Sequence, residues 1–526
     1  MTSSGQGNFF DDNDQNNLTE KNKINGYLRR IINGVGVVLG GSVISQVLGA
    51  LSGIITTNAL GATHYGIYVL ATSWMGLLAD YSRLGFGTVI VRFTASYKAE
   101  QKIDYVKGTF FYAIKIQLLI SIILCISIMI WSEEFCNMIL NNPNAVQYFR
   151  FFSPAIILTS LYGSFVTFLE GMQNQKYSVI SSAVVGNLSN IIPLIGLLWL
   201  GYGIYAALSS SLIQDAAILL SAAFFAWKIF PQFSNPTINS KIEVKKIWSF
   251  ALTTFIASLS YKYAFGLAVP FIGYYRSTTE VGLYAVAFNL QQLIFVPANA
   301  FATVFNPIIA ELYVKGEAME INRLYKTITK WILISCMPFV IVVLLYTRPI
   351  LSLFGSAYTE ASAVLVTLTI ASIFVNLIGV SGHIINMIGK ARVNMINSIV
   401  TALFTISMFA LLIPSYGIIG AACAYAIGLL INNMIRTIYV FFTLEIHPFS
   451  SSLAKVFLSM IISLCIGMII QKNVKNPDDM LWGISILIIT LAIYIGMILL
   501  YIDEDDKFII HAIRKKIYKR ALSNGH

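Results

Sequence analysis

Apolar residues in this chain come in long blocks separated by short polar loops. Fourteen such blocks fall roughly at 31–58, 65–90, 108–131, 148–170, 177–200, 203–227, 247–274, 281–305, 327–346, 361–387, 393–413, 418–443, 453–471 and 481–501. A helix needs about 20 apolar residues to cross a hydrocarbon layer, and these blocks are near or above that length. The pattern predicts an all-α polytopic membrane protein of about fourteen transmembrane helices. None of the loops is long enough to fold as a domain. The polar stretch 1–26, rich in Asn, Asp, Gln and Ser, reads as a disordered cytoplasmic tail and not as a cleavable signal peptide.

Composition agrees with the blocks. The 526 residues are 57% hydrophobic and 11% charged, a balance that leaves a soluble domain without a polar coat. The net charge is +11, and its distribution matters more than its size. With the first residue placed in the cytoplasm, 26 of the 35 Lys and Arg fall on cytoplasmic segments and only 4 on outer loops. The other five, Arg83, Lys115, Arg150, Lys262 and Arg436, lie within blocks or near their ends. Basic residues stay on the cytoplasmic side of short loops. The expectation is an even number of spans in the cytoplasmic membrane with both termini inside. The positive charge then belongs to the loops and gives no argument for nucleic acid.

The chain also repeats itself. Gly66-Ile67-Tyr68 opens the second block and Gly282-Leu283-Tyr284 the eighth, 216 residues later. Tyr202-Gly203-Ile204 matches Tyr416-Gly417-Ile418 at an offset of 214, and Lys176 matches Lys390 at the same offset. Six spans separate the copies, so the copies are parallel. The expected organisation is an N-lobe at 27–228, a cytoplasmic linker at 229–246 and a C-lobe at 247–443. Two extra spans at 444–502 and a basic cytoplasmic tail at 503–526 follow. Two six-helix lobes imply a site near the midplane between them, the architecture of an alternating-access carrier.

Two stretches carry a family resemblance. Leu48-GALSGIITTNALGATHYGIYVLA-Thr72 resembles the first hairpin of the polysaccharide and O-antigen flippases. Asp80-YSRLGFGTVIVR-Phe93 is similar to the ending of their second helix, with an acid, a glycine-rich break and an arginine. The resemblance is strongest over 31–107. It places the chain in the superfamily that also holds the lipid II flippases and the multidrug and toxin extruders. The substrate it implies is a polyprenyl-(pyro)phosphate-linked oligosaccharide, moved to the outer leaflet for surface polysaccharide synthesis, with the prenyl tail left in lipid. The pair of extra helices departs from the common twelve-helix flippase.

Charged residues inside the blocks are the first candidates for binding. Lys262 lies ~22 Å into its span at 1.5 Å per residue, and a charge left in lipid there costs about 2.5 kcal/mol or more. It is expected to face a wet cavity and meet a phosphate, or else to pair with a carboxylate. Asp80 and Arg83 share a helix face at i and i+3. They are candidates for the same cavity, with mutual pairing as the plainer alternative. Asp215, beside Gln214 and one turn after Ser211, is a candidate for ion coupling or a hydrogen-bonded lobe anchor. Tyr261, Asn289, Gln292 and Asn299 can bond sugar hydroxyls, or hold helices together. Lys115, Glu170, Arg150 and Arg436 read as interfacial. Gly49 and Gly53 form a GxxxG packing motif, and Pro193, Pro270 and Pro297 are candidate bends.

Other chemistry is weakly signalled. Cys125, Cys136, Cys336, Cys423 and Cys465 have no metal-ligand or CxxC spacing, so no metal and no cofactor is expected. No Walker-type loop is present in the sequence, which argues against direct use of ATP. The basic amphipathic run 507–523 suits anionic lipids of the cytoplasmic leaflet, or the docking of a glycosyltransferase of the same pathway. The expected protein is a monomeric carrier and not an enzyme. A multidrug exporter is the first alternative. A membrane glycosyltransferase or ligase is the second, and its fullest outer loop, around Glu133 and Glu134, is short.

Overall fold

The computed structural model describes the backbone over 9–139, 143–236, 239–473 and 480–501. Side chains are described within these ranges apart from 9–39, 41, 139, 144, 257–265, 304, 307 and 480–481. Residues 1–8 and the tail 503–526 lie outside what is described, whereas the stretch 9–26, expected to be disordered, is helical as the start of Phe9–Arg83. Among the described residues the fold is helical throughout, with no strand.

Among the described residues, eleven helical stretches are long and apolar enough to cross a membrane. Two of them are too long for one crossing. Ser42–Arg83 and Ala391–Leu444 measure ~60 and ~80 Å at 1.5 Å per residue, against a ~30 Å hydrocarbon core. Each leaves helical geometry once, at Gly61 (φ 69°, ψ 170°) and at Gly417 (φ 58°, ψ −139°). The bend at Gly417 has a twin in Gly203, at φ 51° and ψ −127°. These two glycines are the 214-residue repeat anchors, and a positive φ explains the residue type at both. Val244–Gly266 continues into Ala268–Tyr275 and covers the seventh apolar block.

Packing divides the interior into three cores. One draws on both halves of the chain, with Ile67, Leu70 and Ala71 against Val281, Tyr284 and Ile413. A second is built from the first half and the start of the linker-following helix, around Phe86, Phe110, Phe168 and Ala251. The third uses second-half residues alone, around Phe305, Tyr325, Met337 and Val440. At one end, then, the halves share a core, and at the other each has its own. The split end bears the loops near 100, 173, 230–243, 316 and 389, where the sequence concentrates lysine and arginine. It is called the basic end below, and the other the far end.

The segment between the halves is fastened at the basic end. Lys241 pairs with Asp104 at 2.9 Å and its backbone N–H donates to the Asp104 carbonyl. Lys107 donates to the Asn235 carbonyl at 2.6 Å, and the Tyr97 hydroxyl donates to Glu243 at 2.7 Å. Lys241 holds the Asp104 carboxyl below its usual range. Lys246, with Tyr97, does the same for Glu243. The last two helices, Ser451–Asn473 and Met480–Leu500, pack on the second half. There the Tyr494 hydroxyl donates to the Ile334 carbonyl and that of Tyr346 to Gly483.

Candidate functional site: a cavity between the two halves

The shared core closes the far end through a close helix crossing. A Cβ on Gly66 would overlap the Thr278 carbonyl, and one on Gly282 would overlap the Ala62 carbonyl. The relation is reciprocal, because Ala62 and Gly66 sit 216 residues before Thr278 and Gly282. The Thr63 and Thr279 hydroxyls meet at 2.9 Å between them, again 216 residues apart. Asn58 donates to the Leu353 carbonyl at 2.8 Å, and the rings of Tyr65 and Tyr358 meet edge-on. Small residues allow helix backbones to touch in this way.

Towards the basic end the halves diverge around two adjoining cavities. The smaller, about 510 Å³, lies under the far-end closure. Its wall includes Ser52, Tyr65, Tyr68, Asn187, Asn190, Gln214 and Asn289. The larger, about 1120 Å³, is lined by Thr72, Asp80 and Thr88 from the first half. Gln292, Asn299, Asn376, His383, Asn394 and Arg436 line it from the second. Thr72, Ser73, Gly266 and Phe288 border both. The wall is rich in amides, which suits hydroxyl-bearing or oxyanion ligands more than purely apolar ones.

A family model described as "Polysaccharide biosynthesis protein" matches residues 31–313, more than half of the chain. The chain belongs to this family of polysaccharide flippases. The family is part of the multidrug/oligosaccharidyl-lipid/polysaccharide exporter superfamily, and the MatE model of that superfamily matches residues 253–411. The "Probable low-salt glycan biosynthesis flippase Agl15" of Haloferax volcanii is 23% identical, over 72% of this chain and 77% of its own. "Lipid II flippase MurJ" of Bacillus subtilis is 21% identical, over 76% and 80%. The solved structure "Lipid II flippase MurJ, inward closed conformation" superposes with a TM-score of 0.70 at 16% identity, covering 88% of this chain and 97% of its own. That likeness speaks to the fold.

The polysaccharide-family chain distributes the candidate residues unevenly. Lys262 and Tyr261 fall in the last turns of Val244–Gly266, and their side chains lie outside the described residues. Asp80 and Gln292 line the larger cavity and Asn289 the smaller. Arg83 lines neither. Its guanidinium stands 3.6 Å from Asp80, donates to the Thr159 carbonyl, and occupies the space that a side chain at Gly163 would fill. Asp215 also borders neither cavity. It accepts from the Thr159 hydroxyl at 2.7 Å, one turn from Ser211, whose hydroxyl meets that of Tyr68 at 2.9 Å. Arg83, Asp80, Thr159 and Asp215 thus form one polar cluster inside the first half.

Arg436, read as interfacial from its place near a helix end, also faces the cavity. It lines the larger cavity, with its Nη2 3.4 Å from the Ser398 hydroxyl. Gly382 makes room for it, since a Cβ there would stand 3.1–3.3 Å from the guanidinium end. Asn376, Asn394 and His383, which the sequence pattern does not nominate, line the larger cavity as well. The available signal is a run of polar residues at helical spacing: the neutral Asn394, Ser398 and Thr401, then Asn432 and Asn433 ahead of the charged Arg436. Arg150 does pair near a helix end, with Glu133 at 3.0 Å.

Proposed function

We propose that this protein is a flippase for a polyprenyl-(pyro)phosphate-linked oligosaccharide, working by alternating access in the cytoplasmic membrane. The observation that carries the reading is the amide-rich cavity between the halves, closed at the far end by the Gly66–Gly282 crossing. Glycan hydroxyls need such hydrogen-bonding walls because a polar headgroup cannot cross hydrocarbon unaided. The relatives named as glycan biosynthesis and lipid II flippases support the same substrate class. Fourteen passes in two six-helix lobes plus a C-terminal pair, with both termini cytoplasmic, make the basic end the entry side. The prenyl tail stays in lipid while the lobes rock about the headgroup. Lys262 is a cation for the phosphates, and Asp215, held by Thr159, is the coupling acid. The protein is a carrier and not an enzyme, and acts as a monomer beside glycosyltransferases of its pathway.

The test is deletion of the gene in its host. The expected result is loss of surface glycan and build-up of lipid-linked oligosaccharide on the cytoplasmic face, both restored by the wild-type gene. Unchanged glycan with heightened sensitivity to organic cations would instead support a multidrug exporter. The MatE match favours that second reading, as does the acid Asp80 on the wall of the larger cavity.

A further inference from the structure

We propose that the phosphate of the substrate is seated on the second half alone, by Arg436 with Asn376 and Asn394, and that the sugar occupies the smaller cavity beyond it. The inference rests on the carrier reading and adds the position and orientation of the ligand.

Three observations carry it. First, Arg436 borders the larger cavity, and Gly382 leaves the space in which its guanidinium lies. A guanidinium offers paired donors that match a phosphate. Secondly, two buried amides on the same wall have unmet hydrogen-bonding capacity. Asn376 is 3% exposed and its Nδ2 has no partner. Asn394 is 8% exposed; its Nδ2 donates to the Gly382 carbonyl and to Asn386, while its Oδ1 has none. A buried amide left unsatisfied costs ~1–3 kcal/mol, and a ligand bearing both oxygens and hydroxyls would satisfy both atoms. Thirdly, the helix that bears Asn376 ends at Ile378, and the next begins at Ser381, with Gly379 at φ 76° between them. Interrupted helices mark substrate sites in carriers built from repeats.

Depth fits the assignment. The limb 418–444 is ~40 Å long, close to the ~40–45 Å of a whole bilayer. Arg436 lies eight residues, ~12 Å, from its basic end, so its side chain reaches towards the level of lipid phosphates. The smaller cavity lies deeper. Tyr65 and Tyr68 on its wall offer ring faces, and Asn187, Asn190 and Asn289 offer amides, the groups that hold sugar rings. The substrate therefore enters sugar first, with its phosphate left near the entry side.

The test uses the full chain in nanodiscs and three probes: a polyprenyl monophosphate, the polyprenol of the same length, and phosphatidylglycerol. Wild type should prefer the monophosphate to the polyprenol. Arg436→Met should reduce that preference ~10–100-fold, the range of a charge-assisted hydrogen bond, and Arg436→Lys less. Asn376→Ala should reduce it by a smaller factor. Polyprenol binding, unchanged throughout, verifies the fold of each variant. Arg436-dependent binding of phosphatidylglycerol without binding of the monophosphate would keep the oxyanion seat and remove the carrier reading. No phosphate preference in wild type, or an unaltered preference in both Arg436→Met and Asn376→Ala, would overturn the seat and leave the carrier reading standing.

Discussion

The two ends of this molecule solve opposite problems with the same pair of halves. At the far end, backbones touch through Gly66 and Gly282, and the threonines 63 and 279 bond each other. At the basic end the halves keep separate cores, and amides fill the gap. The far end is symmetric and carries small residues. The basic end is asymmetric, since Asn376, Asn394 and Arg436 all come from the second half while the Arg83 cluster is folded into the first. Closure needs only matching shapes, which a repeat supplies for free. Recognition needs particular side chains, so the copies have diverged there.

The strongest way to break this contrast is to spoil the shape match. Gly66→Leu should cost ~1–3 kcal/mol of overpacking at the crossing. That shifts the population of the closed far end by ~10–100-fold. The check is labelling from outside of a cysteine at Ser52, on the wall of the smaller cavity under the closure, by a membrane-impermeant thiol reagent, which should rise sharply with Gly66→Leu while glycan output falls. Gly282→Ala should act in the same direction, more weakly. Labelling that stays at the wild-type level would mean the far end is not held by this contact.

Next in size are the buried charges. Lys262→Met should abolish surface polysaccharide at normal protein level, with Lys262→Arg retaining more; wild-type output from Lys262→Met would remove that lysine from the mechanism. Asp215→Asn keeps a partner for Thr159 and removes the charge. Translocation should then lose its dependence on a proton or sodium gradient while substrate affinity holds. A retained gradient dependence would locate coupling elsewhere.

The smallest effect belongs to the fastened linker. Asp104 and Glu243 have carboxyls held below their ordinary values of 3.8 and 4.5 in the folded protein. Their contribution is therefore complete above those values and is lost as pH falls through the lower folded ones. The Lys241 ammonium is held above its ordinary 10.5, so its share is complete below that value and fades as pH rises through the folded one. Lys241 is exposed and both carboxylates are partly exposed, so the tie is weak and screened by salt. Lys241→Ala should modestly speed amide exchange in 239–246 near neutral pH, and its effect should vanish once the pH has fallen through the lowered Asp104 value and the carboxyl is protonated.

The helical architecture was legible because membranes impose long apolar blocks, and the anchors of the repeat were legible because closure fixes them. Gly66 and Gly282 are glycine because backbones meet there. Gly203 and Gly417 share a positive φ. The cavity was harder to read. An arginine close to a helix end, as Arg436 is, can carry its charge to water along its apolar stem. What turns it inward is the space at Gly382, contributed by a helix some fifty residues earlier. Neutral amides such as Asn376 and Asn394 carry no charge, so the polar spacing that includes Asn394 fits a cavity wall and a contact with a neighbouring helix equally well.

The most direct measurement is translocation by the reconstituted full chain with a switchable far end. Proteoliposomes containing Thr63→Cys/Thr279→Cys would be loaded with a polyprenyl-pyrophosphate oligosaccharide, and its transfer between leaflets followed by lectin accessibility. Transfer is expected when the cysteines are reduced, is expected to stop when they are oxidised to a disulfide, and is expected to resume on reduction. Transfer at the same rate in the oxidised and reduced states, or none in wild type alongside brisk efflux of organic cations, would contradict a glycan carrier that opens at the Gly66–Gly282 crossing.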